Sequence, residues 1–415
     1  MGLILDTAEG YWTGAISPDE RPPYAPLMDI AEVLPRTAFV SSFANVTALD
    51  TDEGLVLIDT GSFLFSRDVK AQLRTYSKRP LHTAVYTHGH VDHVFGVELY
   101  EAERGERARV IAHEALPARF DRYKLTAGYN ACINARQFQV PTAWPVSYRY
   151  PDVTFEKQLT FEVGGEKIEL RHTRGETDDH AWAWVPSRKL LCTGDLFIWA
   201  VPNAGNPQKV QRYCGEWAVA LRAMAALPAE VLCPGHGPPI LGNARIVQAL
   251  TDSAALLESL HDQTLALMNA GARLDEVLRT VRAPADLLER PYLRPIYDEP
   301  EFIVRNVWRL YGGWHDGNPA HLKPGSDRAL ASEIAALAGG AKRLADRAVE
   351  LAAKGEQADF ALACHLAEMA ALDSPHDEGI RDARARVYEK RAGIETSLMA
   401  RGIFSGAARE NVPDR

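Results

Sequence analysis

The chain has 415 residues and a mass of 45.8 kDa, more than one typical domain of about 100–200 residues. Its composition, 46% hydrophobic and 24% charged, is that of a globular protein and excludes intrinsic disorder and collagen-like repeats. The formal net charge is -9, because 55 acidic residues outnumber 46 lysines and arginines. This balance argues against nucleic acid as a partner, since nucleic-acid binding needs a basic surface.

The N-terminal sequence predicts neither export nor membrane insertion. Residues 1–23 contain no basic segment of the kind that opens a secretory signal, and the apolar run Leu3 to Leu5 ends at Asp6. No stretch approaches the ~20 uninterrupted apolar residues of a membrane-spanning helix. We therefore expect a cytoplasmic protein with no membrane partner.

Residues 1–245 read as a sheet-dominated α/β domain. Short β-rich runs alternate there with Gly, Pro and Asp, and a few helical stretches separate them. The helices are expected over Val94 to Arg104 and Glu216 to Leu227. The main strands are expected over Ala38 to Leu49, Gly54 to Asp59, Ala84 to Thr87, Arg109 to Ala112, Lys167 to Leu170, Ala181 to Val185 and Lys189 to Cys192.

The pattern becomes helical after residue 245. Residues 246–310 are expected to form a helical connector, whose stretch from Ala283 to Pro300 holds four prolines and predicts little helix. Residues 311–415 are expected to form an all-α domain. Its Ala-rich helices are predicted over Arg328 to Ala338, Ala341 to Lys354 and Phe360 to Leu372.

One segment carries a dense set of metal-ligand side chains. His88, His90, Asp92 and His93 lie within six residues, after a predicted strand and before a predicted helix. At such a turn, side chains two apart can converge on one ion while their neighbours face another. Imidazole nitrogens and a carboxylate at this spacing predict a metal site.

Three further candidate ligands lie beside glycines at the ends of predicted strands. Glu176 follows Gly175, Asp195 follows Gly194, and His236 lies in a Pro-Gly-His-Gly turn. Taken alone, Gly-Asp and Gly-Glu are more often turn caps than ligands. Their order after His88 favours the interpretation as ligands.

Together these motifs resemble the metallo-β-lactamase superfamily of binuclear hydrolases, over about Ala38 to Leu241. The resemblance implies an αββα sandwich for residues 1–245, with two divalent ions at one edge of its sheets and Asp59 supporting the ligand turn from behind. It also assigns the ligands: His88, His90 and Glu176 to the first ion, Asp92, His93 and His236 to the second, and Asp195 to both.

Most of the superfamily has His at the position of Glu176. A Glu at this turn resembles the alkylsulfatase branch. Tyr311 to Ala320 resembles the signature that opens the alkylsulfatase dimerisation domain, and the likeness continues over about Leu274 to Ala407. The resemblance implies a homodimer formed through the C-terminal helices. Zn²⁺ is the expected metal, with Mn²⁺ or Fe²⁺ as alternatives because Glu176 is a hard oxygen ligand.

The same branch implies a pocket for an anionic sulfate ester. Asn130, Asn134 and Arg212 are the candidate substrate-binding residues, since amides and a guanidinium fork can donate to sulfate oxygens. The alternative for Arg212 is a solvent-facing charge at a helix start. Asp92 and Tyr129 are the candidate catalytic residues, although Tyr129 could instead only line the pocket.

The sequence thus predicts a binuclear metal-dependent hydrolase that cleaves alkyl sulfate esters to alcohol and sulfate with a metal-bridging hydroxide. One alternative is a lactone, phosphodiester or thioester hydrolase of the same superfamily, because a fold does not fix a substrate. A second alternative is a helical interaction protein with a vestigial metal site.

Overall fold

A computed structural model describes residues 2–139 and 143–410 of the chain. They divide into two compact units. The first comprises Met1–Ala127 and Trp144–Trp314, and the second comprises Gly128–Ala143 and His315–Arg415. Within these described ranges no helix is both long enough and apolar enough to cross a membrane.

The first unit contains two β-sheets. Neighbouring strands are antiparallel from β1 to β4 and parallel from β4 to β7 in the first sheet. This sheet has the order β1 (Asp29–Leu34), β2 (Thr37–Ser41), β3 (Val46–Thr51), β4 (Gly54–Ile58), β5 (Leu81–Val85), β6 (Arg109–His113) and β7 (Val153–Phe155). The second sheet has the order β13 (Ile240–Leu241), β12 (Val231–His236), β11 (Leu190–Ile198), β10 (Ala181–Val185), β9 (Glu166–His172) and β8 (Gln158–Val163).

Helices occupy most of the remaining described chain. In the first unit they are α1 (Leu3–Thr13), α2 (Ser66–Tyr76), α3 (Val97–Arg104), α4 (Leu116–Leu125), α6 (Cys214–Ala225), α7 (Asn243–Asn269), α8 (Leu274–Thr280), α9 (Ala285–Leu288) and α10 (Pro300–Gly312). Helix α5 (Ala127–Phe138) belongs to the second unit except for its first residue, Ala127. The others there are α11 (Asp327–Ala338), α12 (Ala341–Lys354), α13 (Gln357–Asp373), α14 (Glu378–Ile394) and α15 (Leu398–Arg409).

Alternation along the strands packs both faces of each sheet. On β4, Val56 and Ile58 point into the core between the sheets, whereas Leu55 and Leu57 point to the outer core with α2 and α3. On β10, Trp182 and Trp184 pack outward with α6 and α7. The first unit is therefore an αββα sandwich, as predicted.

The second unit is all α-helical, as predicted for the C-terminal part of the chain. Its cores are built largely of alanines, such as Ala335, Ala345 and Ala370, which let helices approach closely. Gly339 ends α11 with a left-handed φ of 85°, which glycine adopts without strain. The proposed division at residues 245 and 310 stays a prediction.

The strand expected from Ala38 and the helix expected from Val94 differ in the structure because loops compete for their backbone. The run Ala38 to Leu49 is split into β2 and β3 by a turn in which Asn45 Oδ1 accepts from the Ser42 backbone N–H at 3.3 Å. The helix expected from Val94 begins at Val97 instead. The Phe95 and Gly96 backbone N–H groups donate to the Gly61 carbonyl and the Thr60 hydroxyl. Those bonds hold this segment against the end of β4.

We predict that Gly96→Ala destabilises the first unit. An added Cβ would lie 2.1 Å from the Thr60 carbonyl oxygen, so the backbone must shift, at a cost of about 1–3 kcal/mol for overpacking. Denaturant titration measures this change in the free energy of unfolding. Gly393→Ala on α14 is the matched control, because its Cβ meets nothing within 4 Å. Equal stability of the two variants would contradict the packing argument.

Candidate metal centre

The turn after β5 brings four of the predicted ligands to the edge of the sandwich. Asp59, directly after β4, holds this turn from behind. Its Oδ1 accepts from the Thr87 backbone N–H, and its Oδ2 accepts from the Thr87 hydroxyl, both at 2.8 Å. Asp59 Oδ2 also lies 2.8 Å from His93 Nδ1, which directs the opposite ring nitrogen of His93 forward. Asp59 adopts a left-handed φ of 60°, a conformation uncommon for a non-glycine residue.

The structure gathers the ligand atoms into two groups, each with all atoms within 4.8 Å of one another. The first group is His88, His90, Glu176 and Asp195. In it, His88 Nε2 lies 3.7 Å from Asp195 Oδ2 and 3.9 Å from Glu176 Oε2. The second group is Asp92, His93 and His236, in which Asp92 Oδ2 lies 3.6 Å from His93 Nε2 and 3.5 Å from His236 Nε2.

The Asp195 carboxylate lies next to both groups. Its Oδ1 is 3.4 Å from His93 Nε2, and its Oδ2 is 3.3 Å from His236 Nε2. The same Oδ2 is 3.7 Å from His88 of the first group. Because one carboxylate offers two oxygens, Asp195 lies within reach of both groups, and the bridging role that the resemblance implies stays a prediction.

The residues fit divalent metal ions. Tetrahedral ligands with bonds of 2.0–2.1 Å lie roughly 3.3 Å apart, close to the separations found here. The buried atoms His93 Nε2, Glu176 Oε2 and Asp195 Oδ1 have no hydrogen-bond partner among the described residues. Buried polar atoms are normally satisfied, so three of them pointing to one centre indicate a cation site. The centre is therefore a divalent metal site.

Burial and mutual charge set the protonation of the ligands. Burial and neighbouring charged groups hold the pKa of His88 and of His90 well below the usual range, so both rings are neutral, as ligation requires. Burial raises the pKa of Glu176 to about 8, with the Asp195 charge adding to the effect. For His236, burial opposes protonation, but the Asp195 charge outweighs it and raises the pKa to about 9. Excess negative charge of this kind is what a metal ion neutralises.

A backbone irregularity in the second sheet orients the Asp195 side chain. Strand β11 runs through Asp195 to Ile198, although the sequence predicted a strand end before that residue. The register with β12 shifts at Gly194, whose φ is 51°. This bulge turns the Asp195 side chain to the ligand groups. A Cβ on Gly235 would lie 2.0 Å from Asp195 Oδ1, so only glycine fits beside that carboxylate.

Arg212 lies at the centre and does not face solvent. Its residue is 2% exposed, which excludes the alternative of a solvent-facing helix-start charge. Its Nη1 donates to Glu176 Oε1 and to the Asn203 carbonyl. The predicted substrate-binding residue is thus ion-paired with a predicted metal ligand.

The other predicted pocket residues lie on α5, in the second unit. Asn130 and Asn134 are buried on one face of α5, and Asn134 Nδ2 donates to the Asn130 carbonyl at 2.7 Å. Tyr129 is 62% exposed. Their roles toward the substrate, and the catalytic role of Asp92, stay predictions.

Sequence reasoning missed two polar residues near the ligand groups. Lys209 is half-buried, and burial together with Arg212 lowers its pKa to about 8 despite the charges of Asp92 and Glu176. Tyr297 keeps its proton because burial and the same two carboxylates raise its pKa well above the usual range. Lys209 stands three residues before Arg212, a spacing that could have signalled it. Tyr297 lies in the Pro-rich stretch, where no motif marks it.

Two protein families match the chain in sequence. Residues 41–236 match the metallo-beta-lactamase superfamily, and residues 273–412 match the alkyl sulfatase dimerisation family. The first range contains all seven ligand positions. The second range covers residues 315–412 of the second compact unit and also includes residues 273–314 of the first.

Characterised relatives share about a quarter of the residues. A linear primary-alkylsulfatase of Pseudomonas sp. (strain ATCC 19151) is 27% identical, over 87% of this chain and 73% of its own length. The alkyl/aryl-sulfatase BDS1 of Saccharomyces cerevisiae is 25% identical, over 90% of this chain and 62% of its own length. Two other curated relatives are covered over 62% and 58% of their lengths.

A solved structure shares the fold. The stereoselective inverting sec-alkylsulfatase Pisa1 from Pseudomonas sp. superposes with a TM-score of 0.83 and is 24% identical in sequence. The superposition covers 93% of this chain and 66% of the Pisa1 chain. The resemblance predicted from the motifs is confirmed: the chain carries a metallo-beta-lactamase superfamily domain over residues 41–236, followed by an alkyl sulfatase dimerisation region over residues 273–412.

Proposed function

We propose that this chain hydrolyses alkyl sulfate esters with two divalent ions, Zn²⁺ being the expected metal. The observation that carries the proposal is the pair of adjacent ligand groups with Asp195 between them. The names of the characterised relatives support the substrate class. The reaction consumes one water molecule and converts the ester into an alcohol and hydrogen sulfate.

Divalent ions in these groups would act as Lewis acids and lower the pKa of bound water from 15.7 to about 7. The chain's own residues fix the ligand geometry. Asp59 orients the His93 ring, and the His236 Nδ1 is held by the Phe43 carbonyl. With those nitrogens occupied, the Nε2 atoms of both rings are left for ligation.

Basic and phenolic groups beside the ligands suit an anionic ester. Arg212 holds Glu176 through Nη1, while its buried Nε has no partner among the described residues and remains available as a donor. Lys209, with a pKa of about 8, is mostly protonated at pH 7. We assign both cations to the sulfate oxygens, and the Tyr297 phenol to donation of a further hydrogen bond.

We predict metal-dependent release of inorganic sulfate from alkyl sulfates of graded chain length. Chelator-stripped protein should lose at least about 100-fold in rate and recover it on addition of Zn²⁺, because the ligand set needs its ions. A lactone, a phosphodiester and a thioester serve as parallel substrates. Hydrolysis of one of these without sulfate release would replace the proposed substrate class and keep the metal centre.

Lys209→Ala should lower kcat/KM for alkyl sulfates by about 10- to 100-fold, since a hydrogen bond to a charged group contributes about 1.5–3 kcal/mol. The exposed Lys157→Ala is the matched control and should leave the rate unchanged. Metal content measured in parallel separates substrate binding from ion loss. A Lys209→Ala protein with the parent's kcat/KM would remove Lys209 from the proposed pocket.

We further propose that two chains associate through the second unit. The match to the dimerisation family supports this, as do Leu330 and Leu337 on α11, which are 54% and 84% exposed on an Ala-rich helix. Light scattering at micromolar concentration should give a mass of about twice 45.8 kDa. A mass of one chain would contradict the dimer.

A further inference from the structure

A second buried carboxylate, Asp179, accepts a hydrogen bond from the ligand turn, residues 88–93, in addition to Asp59. Asp179 is fully buried, and its Oδ2 accepts from the Gly89 backbone N–H at 2.8 Å. Gly89 lies between the first-group ligands His88 and His90. A bond to this peptide therefore constrains the backbone that carries both imidazoles.

Arg119 of α4 holds the other side of the same carboxylate. Its Nε donates to Asp179 Oδ1 at 2.7 Å, and the Arg119 side chain is only 2% exposed. Burial disfavours charge on Asp179, but Arg119 outweighs it and keeps the pKa of Asp179 below the usual range. A buried ion pair adds little net stability, because desolvation of both charges offsets their attraction. Its contact with the ligand turn gives the pair a different role.

The Gly89 backbone is tightly packed against Arg119 and Asp179. A Cβ at Gly89 would lie 2.8 Å from Arg119 Cδ and 3.1 Å from Asp179 Oδ2. The turn, the guanidinium and the carboxylate are thus in direct contact. A change in either side chain alters what the His88–His90 backbone packs against.

The connectivity gives this contact its consequence for the first ion. Asp179 follows Glu176 by three residues, in the loop between β9 and β10 of the second sheet, whereas His88 and His90 follow β5 of the first sheet. The ligands of the first group therefore come from both sheets. The hydrogen bond from Gly89 to Asp179 joins the two loops directly beside those ligands.

We propose that Asp179 and Arg119 are positioning residues for the first metal ion, fixing the distance between the His88–His90 turn and the Glu176 loop. This inference rests on the proposed metal centre and not on the substrate. In the second group, His93 is held by Asp59 and His236 by the Phe43 carbonyl, so the hydrogen bonds of these two rings run to residues other than Asp179. Loss of the pair should therefore weaken one ion selectively.

The test compares Asp179→Ala and Asp179→Asn with Asp178→Asn. Asp178 contacts the same guanidinium but is 44% exposed and has no bond to the ligand turn, so it is the matched control. In Asp179→Asn the amide can still accept from Gly89 only by turning its NH₂ towards Arg119 Nε, which places two donors together. Zn²⁺ affinity is measured by competition with a chromophoric chelator, and Zn²⁺ stoichiometry by elemental analysis.

We expect one of the two Zn²⁺ affinities to fall by about 10- to 100-fold in both Asp179 variants, with the other ion retained and Asp178→Asn within about twofold of the parent. The visible spectrum of the Co²⁺-loaded protein should change at one site, which a merely structural role would not produce. Melting of chelator-stripped samples shows whether each variant folds. If Asp179→Ala does not fold, Asp179→Asn and Arg119→Lys carry the test.

The outcomes of this experiment separate the inference from the proposed function. Parent protein that binds no Zn²⁺ would defeat the metal centre itself. Parent protein that binds two ions, beside folded Asp179 variants with unchanged affinities and an unchanged Co²⁺ spectrum, would overturn the positioning role alone. Equal weakening of both ions would also overturn it.

Discussion

The candidate site depends on the buried carboxylate of Asp195. Its two oxygens lie 3.3–3.7 Å from ring nitrogens of His88, His93 and His236, so the two ligand groups meet at one side chain. A buried charge needs compensation, and a metal ion bound by the same imidazoles would supply it to this carboxylate. The glycines beside it follow from this requirement, because the turn at Gly194 aims the carboxylate and a side chain at Gly235 would displace it.

The sandwich fold makes this convergence available. Strands β4 and β5 end in the first sheet at the turn that carries four ligands, and β9, β11 and β12 deliver three more from the second sheet. The core between the sheets holds them face to face, but hydrophobic packing tolerates small shifts that a metal site does not. Direct hydrogen bonds fix the positions of these side chains more closely. Asp59 bonds to the turn within the first sheet, and Asp179 bonds to it from the second sheet.

The side chains that gather in the two groups could be predicted from sequence because their signal is local. His88 to His93 form one short motif, and Glu176, Asp195 and His236 each stand beside a glycine in a family-like order. The αββα class followed in the same way from the motif order and from alternating strands. The all-helical C-terminal part could also be predicted, because its Ala-rich helices end at glycines such as Gly339.

Other features could not be predicted because they arise from contacts between distant segments. Arg119 meets Asp179 across 60 positions, and Tyr297 reaches the ligand groups from the Pro-rich stretch. Helix α3 was placed three residues too early, since bonds from Phe95 and Gly96 to the neighbouring loop leave no periodic signal. For Arg212 the sequence leaves open whether the side chain faces solvent, and its burial beside Glu176 excludes that alternative.

The most direct test of the account is a crystal structure of the metal-loaded protein with diffraction data collected on both sides of the zinc absorption edge. We predict two anomalous peaks, about 3.5–4 Å apart, with the Asp195 carboxylate between them and Glu176 bound to only one. A single peak, or two peaks that do not share Asp195, would contradict the central claim that one buried carboxylate joins two metal sites.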